Sequence, residues 1–269
     1  MKHLLLSAVF AMGCSTLCLA DDLPAAMRDA DVVFLGEIHD NPDHHSRQVE
    51  LTKNLQPKAI VFEMLTADQA GLATDALRQD LVALEQALDW ANTGWPDFSM
   101  YGPLFQVVPQ ARIYGAAVLR EDAQHVMTDG AAGVFGADAE RFGLNLPLPA
   151  DQQQARERAQ FAAHCDAMPM EMMAMMVDFQ RLRDASLARA SLNALRATGG
   201  PVVVITGNGH ARMDHGAPYV LGIANNDLKQ YSFGQFERVA GDGASVQFNS
   251  WDITDAVDRP DPCEAFNRN

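Results

Sequence analysis

Three short apolar runs constrain the fold of this chain more than anything else in it: Asp31-Val32-Val33-Phe34-Leu35, Ala59-Ile60-Val61-Phe62 and Val202-Val203-Val204-Ile205-Thr206. They are nearly continuous and β-branched, without the polar alternation of a strand that has one wet face. They therefore read as strands covered on both sides, as in a parallel sheet between two helical layers. Residues 111–117, with Ile113 and Tyr114, read as a fourth strand. Helical patterns fill the gaps at residues 44–55, 67–90 in one or two pieces, 104–110, 151–164 and 170–197, the last stopped by Gly199-Gly200-Pro201. Strand alternating with helix predicts an α/β fold, a mostly parallel central sheet flanked by helices, with helical insertions. Residues 230–238 and 245–253 read as two further strands, an antiparallel pair at the sheet edge. Neither an internal repeat nor a long linker divides the chain, so residues 21–269 are expected to form a single domain.

Residues 1–20 stand apart from this pattern. Lys2 and His3 precede an apolar run from Leu4 to Met12, and small residues lead to Cys18-Leu19-Ala20. This is the layout of a secretory signal peptide, with an apolar stretch too short to span a bilayer, and cleavage is expected after Ala20. The mature protein is then exported and periplasmic. Phe10-Ala11-Met12-Gly13-Cys14 is also a weak lipobox, which would make Cys14 a lipoprotein anchor; Ala11 and Met12 fit that motif poorly. The mature chain carries 19 basic and 35 acidic side chains, a formal charge of −16. Such a surface repels polyanions, which excludes nucleic acid as a partner. Cys165 and Cys263 are the cysteines left, and they either pair in an oxidising compartment or stay as buried thiols.

Ligands of an open parallel sheet sit beyond the carboxyl ends of its strands. The first run continues into Gly36-Glu37-Ile38-His39-Asp40-Asn41, the second into Glu63-Met64, the third into Gly207-Asn208-Gly209-His210-Ala211-Arg212. Glu37 and His39, two apart in extended chain, share a face. If the three strands are neighbours, Glu37, His39, Glu63 and His210 converge. Two carboxylates and two imidazoles suit a divalent metal or metal-free acid/base catalysis. His44 and His45 follow Asp43, a good helix N-cap, and one of them can face the same mouth. Six of the 13 methionines fall between Met168 and Met176. Met172 and Met176, one helical turn apart, suit a core or the apolar wall of a flat ligand, and the cluster also admits a Cu(I) site. Gln180, Arg181 and Asp184 read as a salt-bridged helix surface, and residues 95–104 as an aromatic Pro/Gly loop.

On Phe34-Leu35-Gly36-Glu37-Ile38-His39-Asp40-Asn41-Pro42 with His44, Phe62-Glu63-Met64, Tyr101-Gly102-Pro103, Gln180-Arg181 with Asp184, and Gly207 to Arg212, the chain resembles the ChaN-like haem-binding proteins. These belong with the Tiki, TraB and erythromycin-esterase-like proteins in one superfamily. The resemblance implies an α/β fold and haem binding tied to iron uptake, with haem at the interface of a homodimer, its iron ligated by tyrosine. It also implies contact with haem/iron transport components. Tyr101, in the matching Tyr-x-Pro motif and in an expected exposed loop, is the expected iron ligand. Arg181, Arg212 or a histidine such as His44 would meet the propionates, and Met172 and Met176 the porphyrin face. The wider superfamily implies an alternative, a hydrolase built on Glu37, His39, Glu63 and His210, with or without a divalent metal.

Overall fold

The computed structural model describes residues 23–238, 247–261 and 263–264; the expected signal peptide and Cys14 lie outside the described residues. The elements run α1 (Ala25–Arg28), β1 (Val32–Glu37), α2 (Pro42–Leu55), β2 (Ala59–Phe62), α3 (Ala67–Leu72), α4 (Leu81–Ala87), α5 (Phe98–Gln106) and β3 (Arg112–Gly115). They continue with α6 (Arg120–Phe135), α7 (Ala150–Ala163), α8 (Met173–Thr198), β4 (Val202–Gly207), α9 (Asn208–Ala211), α10 (Ala217–Ala224), β5 (Gln230–Glu237) and β6 (Ser250–Thr254). Among the described residues no helix is long and apolar enough to cross a membrane.

The six strands form one sheet in the order β3-β2-β4-β1-β5-β6, and every adjacent pair is parallel. The apolar runs are buried on both faces because each strand serves two cores. Val33, Leu35, Ile60, Phe62, Val203 and Ile205 pack on one side with residues of α2, α4 and α5. Val32, Phe34, Val61, Val202 and Val204 pack on the other with α6, α8 and α10. Period-two alternation thus feeds both layers, and each fully buried Val, Leu or Phe stabilises the fold by about 1.5–3 kcal/mol.

Several expectations are corrected. β5 and β6 are not an antiparallel pair: Phe233 lies beside Ser250 and Glu237 beside Thr254. Phe248 buries against Phe236, the Gln247 carbonyl accepts from Met213 N–H, and Asn249 N–H donates to the Ser232 carbonyl. The aromatic segment read as a loop is mostly helix α5, because Asp97 accepts from Ser99 N–H as a cap and Phe98, Tyr101 and Phe105 repeat at helical spacing on the buried side. Asn41, not Asp43, caps α2, since Pro42 takes the first helical position, where its missing N–H costs nothing. Helix α6 carries glycines at 130 and 133, which hid it from the pattern; its backbone leaves helical geometry at Gly130.

Candidate functional site

Register explains why the strand ends meet. β1 lies against β4 with Glu37 opposite Gly207, and β2 lies on the other side of β4, so that Glu63 N–H donates to the Ile205 carbonyl one step past Phe62. Glu37, Glu63 and Gly207 therefore line up across three adjacent strands. A Cβ on Gly207 would sit 2.8 Å from His39 Nε2 and 3.9 Å from Glu63 Oε2, so a side chain here would displace His39.

The convergence has two halves. In the first, Glu37 Oε1 takes His39 Nδ1 at 2.7 Å and the Tyr101 hydroxyl at 2.8 Å. His45 donates through Nε2 to the His39 carbonyl at 2.8 Å, and its Nδ1 faces Glu37 Oε2 at 3.6 Å; both atoms are buried without another partner. Trp95 packs its ring edge-on to His39. In the second half, Glu63 Oε2 accepts from Thr206 Oγ1 at 2.6 Å and from Gly207 N–H at 2.8 Å, while Oε1 accepts from Arg183 and lies 3.7 Å from His210 Nε2. His210 Nδ1 is held by Asp184 Oδ1 at 2.7 Å.

Electrostatics follow from these contacts. Burial opposes the charge of Glu63, but His210, Arg183, His39 and the Thr206 hydroxyl outweigh it and hold the carboxyl at about 2. Asp184 is pushed up by burial, partly offset by His210. Burial would lower the His39 pKa, yet the hydrogen bond to Glu37 and the charges of Glu63 and Glu37 raise it. Tyr101 is raised by burial and by the Glu37 charge, so it stays a phenol. With Nδ1 fixed by Glu37, His39 presents Nε2 toward Gly207 and Glu63 as an oriented imidazole, able to accept or pass a proton. Glu37→Gln should therefore lower the His39 pKa; an imidazole NMR titration with an unchanged midpoint would remove Glu37 as the cause.

The same geometry gives the expected metal set no support. Among the described residues no group of three or more His, Cys, Asp or Glu side chains is arranged to hold a metal ion. Both Glu63 oxygens are engaged, one by the Arg183 cation, and Glu37 Oε1 is taken by Tyr101 and His39. Tyr101 is corrected: it is fully buried in α5 rather than exposed in a loop. His44 is buried away from the cluster, where Nδ1 accepts from Ile38 N–H and Nε2 meets Thr254 Oγ1; burial lowers its pKa. Sequence reasoning missed Arg183 and took Asp184 for surface. The signal was the pair itself, adjacent charges on a helix otherwise supplying Leu182, Ala185 and Leu187 to the core.

Beside the cluster lie two adjoining cavities. The first, about 550 Å³, runs between α7, α8 and residues 209–215 and reaches His210 and Asp184. The second, about 350 Å³, is walled by Phe142, Leu144, Leu148, Tyr219, Val220 and Ile223. Gln152, Arg156, Asp184 and His215 line both. Arg212, forked onto Asp214 at 2.9 and 2.7 Å, lines the first, and Arg181, bound to the Gly143 and Leu146 carbonyls, the second. Met172 and Met176 line neither. Met172 is exposed and Met176 partly buried.

The model of one protein family, described as haem-binding uptake, Tiki superfamily, ChaN, matches residues 23–221. The chain belongs to this family. Among solved structures it is similar to ChaN of Campylobacter jejuni, described with cofacial haem binding, at 18% identity and a TM-score of 0.60 over 81% of this chain and 84% of that one. It is also similar to the type III effector HopBA1 (12% identity, TM-score 0.47, 86% of this chain and 90% of that one). A third is an erythromycin esterase EreC mutant in its open conformation (12% identity, TM-score 0.43, 77% and 66%). A comparison with curated proteins finds no match. ChaN membership and the likeness to the Campylobacter structure agree with the parallel α/β fold. The hydrolase alternative gains no comparable support, because Glu63 is neutralised by Arg183 rather than left free to activate water.

Proposed function

We propose that this protein is an exported ChaN-family haem binder serving haem or iron uptake, and that it takes haem in the cleft formed by the two cavities. The observation that carries the site is the placement of the four tyrosines. Tyr101 is buried on Glu37, Tyr231 donates its hydroxyl to Ser250, and the hydroxyl of Tyr114, a residue of β3, is buried. Tyr219 alone among them is an exposed ring lining a cavity. Tyr219 therefore replaces Tyr101 as the proposed iron ligand.

The residues present fit the group. Ala155, Ala159, Ala163 and Val177 give an apolar floor in one cavity, and Leu148, Val220 and Ile223 in the other. Arg156 lies between them, its charge disfavoured by burial and only partly offset by Asp184 and Asp214, which leaves it suited to a propionate. Arg212 and Arg181 stand nearby but are already engaged by Asp214 and by backbone carbonyls. Burial, then Arg212, pushes His215 down to about 4, so it offers a neutral imidazole at physiological pH. Haem is here cargo: the iron centre supplies a ligand position, and the protein supplies the phenol, the apolar walls and the cation.

Exposed Leu146, Tyr219 and Ile223 border the cleft and would be covered in a homodimer that sandwiches haem, as cofacial binding in the Campylobacter relative suggests. The Cys165–Cys263 disulfide supports export, because such bonds persist in oxidising compartments. Hemin titration tests the reading. Wild type should bind saturably with a tyrosinate charge-transfer band, and Tyr219→Phe should abolish the band and weaken binding by about tenfold or more. Saturable binding that survives Tyr219→Phe but is lost in Tyr101→Phe would overturn the assignment, and no binding at micromolar hemin would overturn the function.

A further inference from the structure

The C-terminal tail joins the strand ends of the sheet to the turn between α7 and α8. After β6 the Asp255 carbonyl accepts from Asn41, and Val257 N–H donates to Glu237. Arg259 then spans Asp40, with both guanidinium contacts at 2.9 Å, and Glu237, with two at 2.6 Å. This anchor lies at the mouth of the sheet. Four residues on, Cys263 is disulfide-bonded to Cys165 in the turn between α7 and α8, with Cα atoms 5.4 Å apart.

That turn ends a hairpin whose two helices differ sharply. α8 is rooted in the core through Leu182, Ala185, Leu187, Ala188 and Leu192. α7 has no buried residue and packs on α8. Its Gln152, Ala155, Arg156, Ala159, Gln160 and Ala163 repeat at helical spacing and form one wall of the larger cavity, facing α8 and residues 209–215. Cys165 and Asp166 both hold left-handed backbone, φ 57° and 55°, a conformation that costs a non-glycine residue free energy and persists only where its surroundings impose it. A wall with so little buried surface is drawn from the low-stability end of the structure, and the tail is what ties it down.

We propose that the Cys165–Cys263 bond is the catch of a redox-sensitive cover, holding α7 over the cleft when oxidised and releasing it when reduced. Both cysteines are only partly buried, so a thiolate can reach the bond. The thiolate of a dithiol reductant attacks one sulfur and the S–S bond breaks. The departing cysteine thiolate takes a proton, and the reductant's second thiol resolves the mixed disulfide. Two protein thiols and one oxidised dithiol result, a transfer of two electrons and two protons. The Arg259 anchor survives this step, because ion pairs are indifferent to the reductant. Release is therefore confined to the turn and α7 while the tail stays on the sheet. The nature of the released ligand rests on the haem reading above; the cover itself does not.

Hydrogen exchange on the ligand-free full chain separates the two. Reduction by a dithiol should speed exchange in residues 150–164 by about tenfold or more while β1 and β4 keep their protection. Unchanged α7 exchange would overturn the cover, and so would strands that speed up as much as α7, since the bond would then be a staple of the whole fold. The double variant Cys165→Ser, Cys263→Ser should reproduce the reduced state without reductant. In the hemin-loaded protein, transfer to apomyoglobin should accelerate on reduction together with α7 exchange. Faster α7 exchange with unchanged transfer would also overturn the cover. If oxidised wild type binds no hemin, the haem reading fails and the exchange experiment decides the cover by itself.

Discussion

Glu63→Gln should lower the unfolding free energy by about 3 kcal/mol, because removing one member of a buried ion pair leaves the other charge without compensation. Arg183 would face a neutral amide, whose nitrogen also repels either the guanidinium or the Gly207 N–H. The same residue sets an acid limit. Its pKa is 4.5 as an unperturbed carboxyl and about 2 in the folded protein, so its contribution, about 3 kcal/mol by linkage, is complete above pH 4.5 and is lost as pH falls through 2. Urea denaturation from pH 7 down to 2 should show wild type losing more stability than Glu63→Gln across that window. Parallel pH curves for the two proteins would mean that the folded carboxyl is not depressed.

The second large effect is expected at Arg78, which is 3% exposed. Its guanidinium donates to the carbonyls of Phe105, Val108, Pro109 and Ala111, at the end of α5 and the entry to β3, of which Val108 also accepts from Ala111 N–H. Asp75, at 4.0 Å and almost fully exposed, does little to balance the charge, and burial lowers the Arg78 pKa. Arg78→Met keeps the length of the stem and removes every donor. With several buried carbonyls orphaned, the cost should be about 3–5 kcal/mol, or about 10 °C in Tm. Because α5 carries Tyr101, the variant should also loosen the Glu37 end of the site, which the imidazole titration of His39 would register. A Tm within about 2 °C of wild type would show that water replaces the guanidinium at these carbonyls.

The layered parallel sheet was readable from Val32-Val33-Phe34-Leu35 and its two counterparts because burial on both faces leaves no polar position in a strand. The polar residues at their ends were readable for the same reason: Glu37 and Glu63 are the first charged departures from an apolar rule, and His210 follows within the short polar segment after the third run. What the sequence concealed depended on contacts between distant segments. The adjacency of Arg183 and Asp184 marks a pair, but nothing local names its partners, Arg183 turning to Glu63 and Arg181 to the carbonyls of Gly143 and Leu146. Tyr101 looked accessible because Pro103 and Gly102 suggested a loop, whereas the hydroxyl of a helical Tyr101 is committed to Glu37. The direction of β6 was hidden because it is set by where Phe248 and Asn249 dock, which no strand pattern encodes.

The strand order also governs when the molecule can form. One of its two central strands, β1, pairs with β4 and β5, so Val32 waits for Val202 and Gln230. While a nascent chain is still short of residue 202, the ladder open to it is β2 with β3. Loop closure on this scale makes assembly late and slow. A polypeptide with that order of events keeps its central ladders unpaired until its last quarter is being made, and oxidation of the two cysteines then closes the only covalent loop among the described residues.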